Sequence, residues 1–122
     1  MLIHLLDDPS FALSIATLDE EPVGFAYGVT LAEDTSAEPP GHTFHVMDLA
    51  VSHAHRRRGL GRRLLAMLLD GRSERRATLT VQPTATETQT FYRCLGWQHA
   101  GTRESPDNTI SPTWEVYVLP LR

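Results

Sequence analysis

FHVMDLAVSHAHRRRGLGRRLLAMLL (residues 44–69) changes its hydrophobic period once, and the change falls at its glycines. Val46, Met47, Leu49, Ala50 and Val51 form a mostly apolar run suited to a strand buried on both faces, whereas Leu64, Leu65, Leu68 and Leu69 recur at helical spacing. Between them Arg56, Arg57, Arg58, Gly59, Leu60, Gly61 and Arg62 make a basic turn at a helix start. The first N–H groups of a helix lack intrahelical partners, and glycines let a ligand approach the main chain closely. Strand, turn and helix in this order predict an anion site, and phosphate suits it.

Two familiar phosphate loops do not fit. A dinucleotide fingerprint needs a third glycine where this chain has Leu64, and a Walker loop ends in lysine, a residue the sequence lacks. Arg56, Gly59 and Gly61 instead follow the pattern arginine or glutamine, two residues, glycine, one residue, glycine or alanine, just after Asp48-Leu49-Ala50-Val51. This resembles the pyrophosphate loop of the GNAT family of N-acetyltransferases. The resemblance implies acetyl-CoA as cosubstrate. Its pyrophosphate would be held by residues Arg56, Arg57, Arg58, Gly59, Leu60, Gly61 and Arg62. The strand end Leu49-Ala50-Val51 would lie beside the pantetheine arm, bonding it through the main chain of Leu49 and Val51.

A second stretch, Phe91-Tyr92-Arg93-Cys94-Leu95-Gly96-Trp97, closes a short helix that Thr84 and Glu87 would open with a capping box. It resembles another GNAT segment, in which the residue at Tyr92 gives a proton to the departing CoA thiolate. Many relatives carry asparagine where this chain has Ala85, so the usual cofactor contact is either absent or moved to Thr86. Cys94 reads as a small buried residue rather than a nucleophile, since an acyl-cysteine route needs a base beside it.

The third candidate lies on the central strand. Alternation places His45, Met47 and Leu49 on one face and Val46, Asp48 and Ala50 on the other. An amine must shed a proton before it attacks a thioester, and histidine has the pKa to take it. Gly41-His42-Thr43 and His45 resemble the matching region of arylalkylamine N-acetyltransferases, which use two strand histidines; Met47 stands where the second would be. His45 is therefore the candidate base and Asp48 a secondary one. His42, His53 and His55 read as surface residues, and no metal site is expected.

Composition narrows the alternatives. With 122 residues and 41% hydrophobic content, the chain suits a single domain, 1–122. No apolar run approaches a membrane span and no signal peptide opens the chain, so a cytoplasmic location without membrane partners is expected. One cysteine excludes an internal disulfide. Residues 1–55 hold nine acidic residues and neither arginine nor lysine, while residues 56–76 hold eight arginines against Asp70 and Glu74. A long nucleic-acid backbone would be repelled by the acidic half, whereas a compact polyanion such as CoA would not.

The remaining elements follow in order. Met1 to Leu6 reads as the last turn of a helix, broken by Asp7-Asp8-Pro9-Ser10. Phe11 to Ala16 and Val23 to Leu31 alternate as strands joined by Asp19-Glu20-Glu21-Pro22, with the large residues expected against helices and the glycines on the opposite face. Residues Ala32 to Thr43 read as a loop, Ala77 to Gln82 as a parallel partner of the central strand, and Trp97 to Arg103 with Thr113 to Leu119 as a final antiparallel pair. The resemblance implies an α/β fold of the α+β type: a mixed, mainly antiparallel sheet flanked by helices, N-terminally short and lacking the usual first strand and first helix. The activity it implies is transfer of an acetyl group to a small primary amine or a protein N-terminus by direct attack. The alternative is an acyl-CoA-binding regulatory or sensor module without turnover. A homodimer is left open.

Overall fold

A computed structural model describes residues 1–8, 10–31 and 42–121. Seven strands form one sheet: β1 (Leu2–Asp8), β2 (Phe11–Leu18), β3 (Glu21–Thr30), β4 (Thr43–Val51), β5 (Arg76–Val81), β6 (Gln98–Glu104) and β7 (Thr113–Pro120), in the order β1-β2-β3-β4-β5-β7-β6. Only β4 and β5 run parallel. Among the described residues the α-helices are α1 (Leu60–Leu69) and α2 (Thr86–Cys94), and neither is long and apolar enough to cross a membrane. The mixed, mainly antiparallel sheet with its helices is the architecture expected. Most of the loop read over Ala32 to Thr43, up to residue 41, and Pro9 lie outside the described residues.

The N-terminal reading needs correction. Leu2–Asp8 is a strand, paired antiparallel with β2 from Leu2↔Thr17 to Asp8↔Phe11, so no helix end stands there. The expectation of a chain that lacks a first strand and first helix is not borne out. Seven residues are too few for a stable helix, whereas the bare edge of β2 offers them a ladder of main-chain hydrogen bonds.

The hairpin β2–β3 forms as expected, with Asp19 and Glu20 as its two-residue turn, both at positive φ (51° and 66°). Its faces are the reverse of those expected. Ala12, Ser14, Ala16, Gly24, Ala26 and Gly28 are buried under α1, while Leu13, Ile15, Phe25, Tyr27 and Val29 on the other face are only half-buried. Close approach is the reason: a Cβ on Gly24 would stand 3.1 Å from Leu64 Cδ1, and one on Gly28 would stand 2.5 Å from the Phe44 ring. Small residues let α1 settle onto the sheet with Leu60, Leu64, Leu65 and Leu68 inward, and Ser14 Oγ donates to the Leu64 carbonyl at 2.9 Å.

Strand β4 departs from regular pairing in two places. Tyr27 pairs with Asp48 but Gly28 pairs with Val46, so Met47 is the extra residue of a bulge. Past it the parity flips. Val46 and Leu49 face the core, while His45, Asp48 and Ala50 share the outer face with Val29, Tyr27 and Phe25, their partners across β3. The expected separation of His45 from Asp48 is thereby overturned, since strict alternation does not survive an inserted residue. Further, β4 meets β5 only at Thr43↔Arg76, Phe44↔Ala77 and His45↔Thr78, after which the strands part.

The closed end of this wedge is pinned by the segment after α1. Arg72 donates through Nε to Glu74 Oε1 (2.9 Å) and lies 4.1 Å over the Phe44 ring, while Thr30 Oγ1 donates to Glu74 Oε2 (2.6 Å). Burial alone would raise the Glu74 pKa, but the hydrogen bonds from Arg72 and Thr30 outweigh it and hold the carboxyl below its usual value. A depressed folded pKa adds stability above the unfolded value, near 4.5, that is lost as pH falls through the folded one. Glu74→Gln should therefore destabilise the protein by about 3 kcal/mol at pH 7, the scale for breaking a buried pair. Urea titrations should show that deficit shrinking once the pH drops below the carboxylate range, where the parent has lost the same charge.

Candidate active site

The segment after β4 makes one turn of 3-10 helix (His53–His55) and enters α1 through a strained corner. Arg57 has φ 64° and Gly59, the N-cap, has φ 74°. No side chain caps α1, no acidic residue lies in its first turn, and Arg62 and Arg63 sit there instead. Among the described residues the main-chain N–H groups of residues 57–62 find no main-chain acceptor; the first such bond outside the regular elements is Arg63 N–H to the Gly59 carbonyl, at 3.1 Å. Arginines there add to the positive end of the macrodipole instead of offsetting it, and bare donors at a helix N-terminus suit an anion.

This corner opens into a cleft of about 500 Å³ along the freed edge of β4. Of the residues singled out in the sequence, Leu49, Ala50, Val51, Arg56, Arg57, Gly59, Leu60, Gly61, Arg62 and Tyr92 line it. Arg58, Thr86 and His45 are not among the lining residues. Thr86 is exposed and gives its carbonyl to Thr90 Oγ1; Glu87 and Thr88 of the same turn reach the cleft in its place. The expected capping box is absent, for Ala85 is the N-cap of α2 without a side-chain bond.

Sequence reasoning missed His55, Glu87, Thr88 and Phe91 in the lining. A side chain on Gly61 would project between Phe91 (3.4 Å) and Leu49 (3.7 Å), so absence of one keeps the cleft open. Two main-chain groups of β4 have local partners: the Leu49 N–H donates to Asp48 Oδ1 (2.8 Å), and Arg56 Nε donates to the Val51 carbonyl (3.2 Å).

Tyr92 owes its position to the way α2 ends. Trp97 N–H bonds the Tyr92 carbonyl (3.1 Å) and Gly96 N–H the Arg93 carbonyl (3.0 Å), with Gly96 at φ 95°. This is a Schellman cap, and its usual apolar contact is the Tyr92–Trp97 ring pair, 5.6 Å between centroids. Phe91 packs on the other side at 5.2 Å. The far side of α2 is tied down by Gln89, which accepts from Tyr117 Oη (2.7 Å) and donates to the Pro83 carbonyl (3.1 Å). Burial, helped by the Asp48 carboxylate, pushes the Tyr92 hydroxyl up to about 12. It keeps its proton at neutrality.

His45 stands on the last paired rung of the wedge, half-buried, with Nδ1 2.8 Å from Thr78 Oγ1. Burial, and then the Arg103 guanidinium, push the imidazole pKa below 6.5, so it is neutral at pH 7. Cys94 is exposed and lies outside the cleft lining, which corrects the buried reading; it falls on the solvent side of the last turn of α2. Among the described residues no three His, Cys, Asp or Glu side chains gather as metal ligands.

The model of the Acetyltransferase (GNAT) family matches residues 2–97. No curated protein matches the chain in sequence. Solved structures share its fold. One is an acetyltransferase of the GNAT family from Desulfovibrio desulfuricans, 19% identical, with TM-score 0.75 over 93% of this chain and 70% of that one. Another is Arabidopsis thaliana Naa50 in complex with the bisubstrate analogue CoA-Ac-MVNAL, 21% identical, with TM-score 0.72 over 88% and 71%. The ribosomal-protein-S18-alanine N-acetyltransferase of Escherichia coli is 21% identical, with TM-score 0.73 over 94% and 72%.

If the corner at α1 and the freed edge of β4 hold acetyl-CoA, Gly61→Val should fill the gap between Phe91 and Leu49. Its Cβ would meet both at ordinary contact distances, so the fold should survive while the space for the ligand is taken, and affinity should fall about 10-fold or more. Titration calorimetry with CoA measures it, and a parental melting curve beside an unchanged dissociation constant would dismiss the assignment.

Proposed function

The chain belongs to the acetyltransferase (GNAT) family, and from that premise we propose that it transfers an acetyl group from acetyl-CoA to a primary amine by direct attack of the nitrogen. One observation carries the reading: the bare N–H groups and arginines at the start of α1 open into the same cleft as the parted edge of β4 and Tyr92. A phosphate-bearing cosubstrate anchored at the corner would run along β4 toward the closed end of the wedge. The reacting carbon would then lie between Tyr92 and the outer face of β4. The single cysteine lies away from the cleft, so direct attack is the route consistent with the side chains present.

Each residue has a task that its geometry permits. Arg56, Arg57 and Arg62 offset phosphate charge, while Gly59 and Gly61 allow main-chain contact. An acceptor arrives as an ammonium and gives up one proton before its nitrogen forms the C–N bond, and as the C–S bond breaks the nitrogen sheds a second proton. The thiolate then takes a proton, so the sum of the reaction releases one proton. Neutral His45 can accept the first if Nδ1–H is donated to Thr78, leaving Nε2 free. With a pKa of about 12 against about 8.5 for a thiol, Tyr92 serves the leaving sulfur chiefly as a hydrogen-bond donor.

Two experiments test these roles. Tyr92→Phe keeps the aromatic packing and removes only the hydroxyl, so kcat should fall on the order of 10²-fold while CoA affinity stays within about a factor of two. Undiminished turnover with chemistry shown to be rate-limiting would reduce Tyr92 to a packing residue. For His45 the sign follows from its lowered pKa. The base is active when neutral, so the acid limb of kcat should lie below pH 6.5, with activity lost as pH falls through it. His45→Ala should abolish that limb; an acid limb that persists in the variant assigns the base elsewhere.

A further inference from the structure

Both helices meet the sheet from the same side, since Gly61 of α1 faces Phe91 of α2 and Tyr117 bonds Gln89 across to α2. The outer face of β2, β3 and β4 therefore keeps its large side chains only half-covered. Leu13, Ile15, Pro22, Phe25 and Ala50 line a groove of about 450 Å³ there, bounded at one end by Ser52. Next to it on the same face stands Asp48, exposed, with Oδ1 fixed by the Leu49 N–H and Oδ2 without a partner among the described residues. The flanking ring of Tyr27 is held by Phe25 and Phe11, each 6.2 Å away between centroids.

This arrangement has a charge and a length. One carboxylate oxygen is oriented toward solvent beside an apolar trough, a match for a cation carrying an apolar body. Along the strand, Asp48 to Ala50 spans about 7 Å and Asp48 to Ser52 about 13 Å. From Asp48 an extended six-carbon chain passes Ala50 and enters the groove, whereas the methyl side chain of an N-terminal alanine does not reach it. Because the bulge at Met47 turns Asp48 to the side of His45, the cation is held beside the apex of the wedge, where the proposed reaction takes place.

We infer that the acceptors of this chain are small primary amines with an extended apolar tail, the ammonium resting on Asp48 and the tail lying in the groove of Leu13, Ile15, Phe25 and Ala50. The inference rests on the transferase reading above and adds the substrate class to it. It makes Asp48 the charge selector and Phe25 the wall that selects the tail.

The test compares kcat/KM for hexylamine, propylamine, ethanolamine and a tetrapeptide with a free N-terminal alanine. Hexylamine should exceed ethanolamine by at least about 10-fold, the lower end of discrimination by an apolar site, with propylamine between them and the peptide below hexylamine. Phe25→Asp and, independently, Ile15→Asp should each collapse the hexylamine-to-ethanolamine ratio toward one while acetyl-CoA still binds, which shows that the variant is folded. Asp48→Asn retains the bond to Leu49 N–H but not the charge, and should lower kcat/KM for every amine about 10-fold or more. A flat ratio in the parent, a ratio that survives both groove variants, or a peptide preferred over hexylamine overturns the inference and leaves the transferase reading intact. If no amine is acetylated, the transferase reading fails, and calorimetry of hexylamine on acetyl-CoA-loaded protein decides the rest. Binding that Asp48→Asn and Phe25→Asp abolish upholds the amine site, and lack of binding overturns it as well.

Discussion

β4 and β5 are held together over three rungs and no more, and the parting of these two parallel strands is the constraint that the surrounding structure serves. Main-chain groups released from a ladder must find water or a ligand, since leaving one buried and unpaired costs about 1–3 kcal/mol. The closed end supplies the counterweight. Arg72 stacked on Phe44, Glu74 buried between Arg72 and Thr30, and the His42 carbonyl accepting the N–H groups of both Arg75 and Arg76 fasten that end. Bulging at Met47 then bends β4 at the point where pairing stops. Pinned at one end and free at the other, the strand exposes an edge between two faces of different chemistry.

The start of α1 breaks rules that a helix ordinarily keeps. Gly59 offers no side chain as cap, Arg57 adopts a left-handed conformation that costs roughly 1–2 kcal/mol in a residue with a Cβ, and the first turn carries arginines where acids would suit the dipole. Such local inconsistency, set against four leucines that pack α1 firmly, agrees with the binding role proposed for this corner. The same contrast made the segment legible in the sequence. Periodicity located the helix, and the arginines and glycines at its start carried the expectation of an anion site.

Other features were legible only in part, for identifiable physical reasons. Phe91 to Trp97 was readable because a Schellman cap demands glycine at one position and an apolar pair around it. The bulge was not, because inserting one residue leaves composition and overall alternation almost untouched while reversing every side chain beyond it. Which face of the hairpin meets the helix was misjudged by size. A close-packed helix needs Ala, Ser and Gly beneath it, so the larger Phe25 and Tyr27 belong to the opposite face. Leu2 to Leu6 carries no periodicity strong enough to decide between helix and strand; the free edge of β2, a tertiary feature, decided it. Thr86 was misplaced because α2 takes Ala85 as its N-cap, one residue after the expected Thr84, and Cys94 was read as buried from its residue type alone.

The cap that ends α2 has a mechanical consequence. Tyr92 is fixed through its carbonyl by two N–H groups, through its ring by Trp97 and Phe91, and through its helix by Gln89, so the hydroxyl behaves as a rigid post. A post of this kind sets a datum against which everything mobile must be aligned. Under the proposed reaction, adaptation to a new acceptor would fall to the opposite wall of the wedge, where half-covered side chains on β2 and β3 can change size without moving α2. The sheet thus separates a part of the molecule built to fixed tolerance from one open to refitting, and an engineer would leave the first alone and machine the second.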